Sequence, residues 1–209
     1  MIKLEGVSKA FKKATVVQEV TAEFREGEIT GIVGRNGSGK TVLFKMICGL
    51  LKPTAGTITV NGKRIGKDVD FPESIGVIIE TPGFLPFQSG YRNLMELAGI
   101  NHRISKNEVK QAMENVGLDP DSRKPVSKYS LGMRQRLGIA QAIMENPDVL
   151  VLDEPMNGLD ESGVEEMRKL FLKLKEADKT LLIASHNRED IEVLCDKVYR
   201  MDGGILSNI

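Results

Sequence analysis

The sequence has no excess of charge of either sign. Its 29 Lys and Arg residues are matched by 29 Asp and Glu, for a formal net charge of +0. A protein that grips a nucleic-acid backbone carries a basic surplus, so no nucleic-acid partner is expected. No apolar run approaches the roughly 20 residues that a helix needs to cross a bilayer. The opening stretch, MIKLEGVSK, lacks the apolar segment of a signal peptide, and a cytoplasmic chain is the expectation. Cysteine is scarce: Cys48 and Cys195 lie far apart with no metal-ligand spacing. Two reduced, buried thiols are the expected reading. Low-complexity segments and internal repeats are also missing. What remains is a chain of 209 residues, long enough for one domain with a substantial core.

The first chemical signal is ITGIVGRNGSGKT, residues 29–41. ITGIV is a short apolar run of the kind found in a buried strand. GRNGSGKT matches G-x-x-x-x-G-K-[ST], and the apolar helical run KTVLFKMICGLL follows, ending at Lys52-Pro53. Strand, glycine loop and helix therefore stand in the order a phosphate-binding loop requires. Gly34, Gly37 and Gly39 let backbone N–H groups turn inward where a Cβ would obstruct, with Asn36 and Ser38 completing the cradle. The helix N-terminus adds partial positive charge. Lys40 can reach the β- and γ-phosphates of a nucleotide, and the Thr41 hydroxyl can hold Mg²⁺. The competing reading is an ordinary glycine-rich turn between strand and helix.

The second signal is PDVLVLDEP, residues 147–155. VLVL reads as a central parallel strand, and its carboxyl end is where ligands sit in an α/β sheet. Alternation along the strand points Asp153 and Glu154 to opposite sides, which suits separate tasks. Asp153 would contact Mg²⁺, and Glu154 would act as general base toward the attacking water. A further apolar run, TLLIA, precedes His186 at 180–187 and places it level with the carboxylates. That is where a γ-phosphate contact would come from.

Taken together, GRNGSGKT, YSLGMRQR, VLVLDEP, NGLD and ASH occur in the order of an ABC-type ATPase. Over essentially its whole length the chain resembles the nucleotide-binding subunit of an ABC transporter. The resemblance implies an α/β fold: a RecA-like P-loop core, an antiparallel β subdomain and an inserted helical subdomain. It also implies ATP and Mg²⁺ as ligands, and a second ATPase subunit docked head to tail, so that the signature motif of one subunit covers ATP on the other. The family signature LSGGQ aligns with Tyr129–Met133 here. Ser130 and Gly132 are retained and would face the partner's γ-phosphate, while Leu131 and Met133 depart from the pattern. Asp160 resembles the aspartate that couples the two sites, His186 the switch histidine, and Phe11 the aromatic that stacks on adenine. Where the family has glutamine this chain has Glu80, which is similar to the bacitracin-resistance and lantibiotic-immunity subgroup. Glu80 keeps an oxygen for Mg²⁺ but adds negative charge and loses an N–H donor. IETPGFLP and YSLGMRQRLGIA share that subgroup's look.

The same reading divides the single domain, 1–209, into a nucleotide-binding core with the β subdomain (1–83 and 147–209) and a helical subdomain (84–146). Asn61-Gly62 marks a hairpin. Ser105 and Glu108 form a capping box for the run KNEVKQAMENVGL. Val164, Met167, Leu170, Phe171 and Leu174 make a core-facing helical stripe. Phe84, Leu85, Phe87 and Tyr91 cluster near the start of the helical region. Core packing is the plain reading for most of them, and the resemblance adds a groove that receives a cytoplasmic helix of a separate membrane permease. The expected protein is a transporter ATPase held peripherally on the cytoplasmic face of the membrane, and the subgroup points to export of a peptide antibiotic. The alternative is a soluble ABC-class ATPase acting in translation or DNA repair. A GTPase is disfavoured, since no Asn-Lys-x-Asp motif is present.

Overall fold

The computed structural model describes residues 1–12, 14–80 and 83–209. Lys13 of SKAFKK, and Thr81 and Pro82 of IETPGFLP, lie outside the described residues. The chain opens with two long strands, β1 (Ile2–Phe11) and β2 (Ala14–Phe24), and a short buried one, β3 (Ile29–Val33). The glycine loop leads into α1 (Lys40–Ile47), then β4 (Ala55–Val60), β5 (Lys63–Arg64) and β6 (Ile75–Ile78). Three helices follow: α2 (Gly90–Asn101), α3 (Lys106–Asn115) and α4 (Leu131–Ile143). The rest alternates: β7 (Val149–Asp153), α5 (Glu161–Glu176), β8 (Thr180–Ala184), α6 (Arg188–Leu194), β9 (Lys197–Asp202) and β10 (Ile205–Asn208).

Among the described residues these strands form two sheets, as expected from the sequence. One is antiparallel, in the order β2-β1-β4-β5. The other runs β10-β9-β3-β8-β7-β6, with only β10 antiparallel to its neighbour. Strand alternation explains how the second sheet is covered on both faces. Val149 and Val151 of β7 join Leu43, Phe44 and Ile47 of α1 and Leu4, Val7 and Phe24 of the antiparallel sheet. Leu150 and Leu152 face the other way, into a core shared with Leu94, Val109, Leu137 and Phe171 of α2 to α5. Two covered faces account for the unbroken apolar runs of β3, β7 and β8.

Local signals behave as their chemistry dictates. Asn61 and Gly62 carry φ 48 and 78, the left-handed pair that a tight hairpin requires. Ser105 and Glu108 exchange both capping bonds at the start of α3. Met167 and Phe171 are buried and Val164, Leu170 and Leu174 pack partly against the same core. The helix after the glycine loop is shorter than the apolar run implies. It stops at Ile47, and Gly49 turns left-handed at φ 78, where an added Cβ would meet the Asp70 carbonyl oxygen at 2.2 Å. Both cysteines are free thiols among the described residues, but only Cys48 is buried as expected; Cys195 is half-buried. Burial pushes each up to about 12, helped at Cys195 by the charges of Asp196 and Asp190. Among the described residues no helix is long and apolar enough to cross a membrane.

Candidate functional site

β3 ends at Val33, and its continuation wraps the N-terminus of α1 to line a cavity of about 570 Å³. Lys40 is only 7% exposed. Its ammonium donates to the Gly34 carbonyl at 2.6 Å and to that of Arg35 at 3.4 Å, which closes the loop on itself. Gly39 caps α1 at φ 110, with no side-chain capping bond among the described residues. The first N–H groups of the helix are thus left for something in the cavity. The Ser38 hydroxyl is buried with no hydrogen-bond partner among the described residues. A buried unpaired hydroxyl costs free energy unless a ligand satisfies it. The glycines are needed for a reason beyond phosphate access. A Cβ on Gly34 would meet the Met201 carbonyl oxygen at 2.2 Å, and one on Gly39 the Val16 carbonyl oxygen at 2.7 Å. Gly37 has open space but sits at φ 79. The loop is therefore pressed against the rest of its own fold at two points and turned left-handed at two.

The carboxylates arrive from β7. The Thr41 hydroxyl donates to Asp153 Oδ2 at 2.6 Å. Glu154 lies past the strand, so alternation along it does not decide where its side chain goes. Its backbone turns left-handed at φ 52, and its N–H donates to the Ala184 carbonyl at 2.8 Å. Asp153 and Glu154 line the same cavity, with different partners. Glu154 Oε2 lies 2.8 Å from His186 Nδ1 and also accepts from the His186 N–H at 3.4 Å. The His186 loop is anchored from below. Ser185 Oγ donates to buried Asp190 at 3.3 Å, and Arg168 of α5 donates to the same carboxylate at 2.9 and 2.6 Å.

Other expected site residues are placed less directly. Glu80 opens on the cavity from the end of β6, but its carboxylate is held by Lys45 Nζ at 2.6 Å. Ser130 caps α4, its Oγ accepting from the Met133 N–H at 3.1 Å. Gly132 stands close to the Gly158 carbonyl, 2.8 Å from where its Cβ would be. Asp160 caps α5 through the Gly163 N–H at 3.1 Å. Phe11 is 44% exposed, with Lys9 Nζ 5.1 Å from its ring centroid. Among the described residues, Val16 and not Phe11 lines the cavity from the antiparallel sheet.

Gln135 of α4 is a contributor that sequence reasoning passes over. Its amide donates to the carbonyls of Glu154 at 3.3 Å and Pro155 at 2.9 Å. It thereby fixes the turn that carries the Glu154 side chain. The signal was its place one turn past Leu131, on a helix starting beside the site.

The donor set fits a phosphate chain escorted by a hard cation. Arg35, Lys40 and Arg134 line the cavity together with Glu80, Asp153 and Glu154. Those carboxylates would repel bare phosphate, and a divalent cation removes the conflict. Thr41 and Asp153 offer adjacent oxygens. Mg²⁺ takes one or two protein oxygens and completes its shell with phosphate and water, and the Thr41–Asp153 pair offers that many.

Comparisons with known proteins follow the same line. The family model described as ABC transporter matches residues 17–157. An uncharacterized ABC transporter ATP-binding protein of Bacillus subtilis (strain 168), YybJ, is 44% identical over 206 residues, covering 99% of this chain and 94% of its own. The bacitracin transport ATP-binding protein BcrA of Enterococcus faecalis is 43% identical over 208 residues, covering 99% of this chain and 68% of its own. The solved dimer of MJ0796, a bacterial ABC transporter cassette, matches with a TM-score of 0.90 over 99% of this chain and 97% of that one. At 23% identity that last likeness speaks for the fold alone.

Proposed function

The chain belongs to the ABC transporter family as an ATP-binding subunit, and from that premise we propose that it hydrolyses MgATP between two such subunits to drive a separate membrane permease. The observation that carries this reading is one cavity onto which buried Lys40, the Thr41–Asp153 pair and the His186-bound Glu154 all open or connect. Bound MgATP supplies the phosphoanhydride and a metal charge on its outer phosphates. Lys40 exchanges its bonds to the Gly34 and Arg35 carbonyls for phosphate oxygens. The Ser38 hydroxyl and the open N–H groups of α1 complete the cradle. Thr41 and Asp153 would hold the metal, with Glu80 as a further oxygen donor. Glu154 takes the proton of the attacking water, and His186 orients that carboxylate and contacts the γ-phosphate. In the same reading Ser130 and Gly132 reach the ATP of the second subunit, Asp160 lies at the junction of the two sites, and Phe11 stacks on adenine once nucleotide enters.

The helical region 84–146 forms the subdomain that meets the permease, with 1–83 and 147–209 as the nucleotide core. The subunit works peripherally on the cytoplasmic face. Its cargo is a peptide antibiotic or related compound, moved outward. Two features support that cargo: the identity to a protein named for bacitracin transport, and the Glu80 and SLGMRQR departures. The test is a pull-down of the tagged chain from detergent-solubilised native membranes, read by mass spectrometry. A multi-spanning protein in near-stoichiometric amount is expected. Recovery of soluble partners alone would transfer the ATPase to a role in translation or DNA repair.

A further inference from the structure

Each carboxylate on the cavity wall has a partner. Asp153 has Thr41 and Glu154 has His186, both already part of the reading above. Glu80 has Lys45, which that reading leaves without a task. Lys45 follows Thr41 by one helical turn, so α1 presents the hydroxyl and the ammonium on one face. The Lys45–Glu80 pair is 2.6 Å long, with side chains 32% and 65% exposed. An ion pair that wet is worth at most about a fivefold factor in an equilibrium. It can therefore be given up readily to a partner of higher charge, because attraction scales with the product of charges. Glu80 also holds a left-handed backbone, φ 62, which a glutamate keeps only where its surroundings fix it. The carboxylate is thus presented at the cavity and neutralised there by a weak, exchangeable cation. A glutamine at this position would carry no charge and need no such cation.

We infer that Lys45 is a counter-cation that competes with Mg²⁺ for Glu80 and so sets the metal concentration at which nucleotide is held. In the metal-free state Lys45 offsets the extra negative charge beside the phosphate loop. When MgATP enters, Glu80 turns from Lys45 toward the metal side of the cavity and Lys45 is released to solvent. This inference rests on the nucleotide reading above.

The test is a Mg²⁺ titration of the intact chain with mant-AMP-PNP, read by mant fluorescence. The chain has 0 tryptophans, so the labelled nucleotide supplies the signal. Lys45→Met is expected to lower the Mg²⁺ midpoint about threefold, the size of a surface ion pair removed from competition. Lys45→Arg keeps the charge and should keep the wild-type midpoint. Glu80→Gln should raise the midpoint, and in that background Lys45→Met should have no further effect. Equal shifts by Lys45→Met in both backgrounds would make Lys45 a general charge and overturn the inference. No shift in either would do the same. If wild-type protein binds no mant-AMP-PNP at any Mg²⁺ concentration, the nucleotide reading fails and takes this inference with it. Behaviour of the wild type therefore separates the two failures.

Discussion

Two helices in this molecule begin at turns of small residues, and they are finished in opposite ways. At α1 the capping residue is Gly39, left-handed and without a side chain, and the hydroxyl next to it on Ser38 is buried and unpartnered among the described residues. At α4 the capping residue is Ser130, extended and exposed, and its hydroxyl already accepts the Met133 N–H. Both ends carry the partial positive charge of a helix N-terminus. The first turn of α4 reaches the same cavity through Leu131, Arg134 and Gln135, but of the two only α1 withholds its cap, and the buried lysine is its own. An anion site whose donors come from its own chain leaves them open and bears the cost in the empty state. In the dimer proposed above, the α4 end would complete a site in another chain, and so it has to be stable alone. It keeps a cap that can later be shared.

The largest test of this contrast acts on the chemistry that the α1 side is built for. Glu154→Gln should cut ATP turnover about 10²- to 10⁴-fold, the usual contribution of a positioned general base, with nucleotide binding retained. Phosphate release measures the first, and gel filtration with ATP should show a longer-lived dimer. Normal turnover in this variant would remove Glu154 from its role. Next in size is Lys40→Ala. Hydrogen bonds to charged groups are worth about 1.5–3 kcal/mol, so nucleotide affinity should fall about ten- to a hundredfold in a mant-nucleotide titration. Unchanged affinity would mean that the α1 terminus is not the anion site, and the comparison would break there.

How far these features can be seen in the sequence depends on whether they are contiguous. The glycine loop is legible because strand, loop and helix are consecutive, and each leaves its own local pattern in the residues. The Thr41–Asp153 contact spans 112 positions. It is reachable only through the rule that ligands gather at the carboxyl ends of parallel strands. That same rule brings Glu154 and His186 to one place, yet strand alternation gives the wrong reason for Glu154, because the strand has already ended. The Lys45–Glu80 pair leaves no local pattern at all, since its partners come from different elements. Helix α1 is overextended by periodicity for a related cause. The apolar run continues through Leu50 and Leu51, but Gly49 has turned the chain, and Leu50 ends 57% exposed. Hydrophobic pattern reports which residues avoid water, not where the backbone changes hand.

The smallest expected effects sharpen the comparison most, because they differ in sign. Ser38→Ala removes a buried hydroxyl that has no partner among the described residues, so the protein without nucleotide should be unchanged or slightly more stable. Its nucleotide affinity should drop, since the hydroxyl is satisfied only by a ligand. Ser130→Ala removes a hydroxyl in use. Loss of such a cap costs about 1 kcal/mol, which lowers Tm by about 2–4 °C in a domain of this size. Nucleotide binding by dilute, monomeric protein should be untouched, because α4 contributes no capping group to its own chain's phosphate loop. Thermal unfolding with and without mant-nucleotide reads both variants in one experiment. If the two serines lower Tm alike and neither alters binding, the two helix ends are ordinary caps. If they diverge as described, one hydroxyl is reserved for a ligand of its own chain, and the other is spent on folding until a second subunit brings the ligand to it.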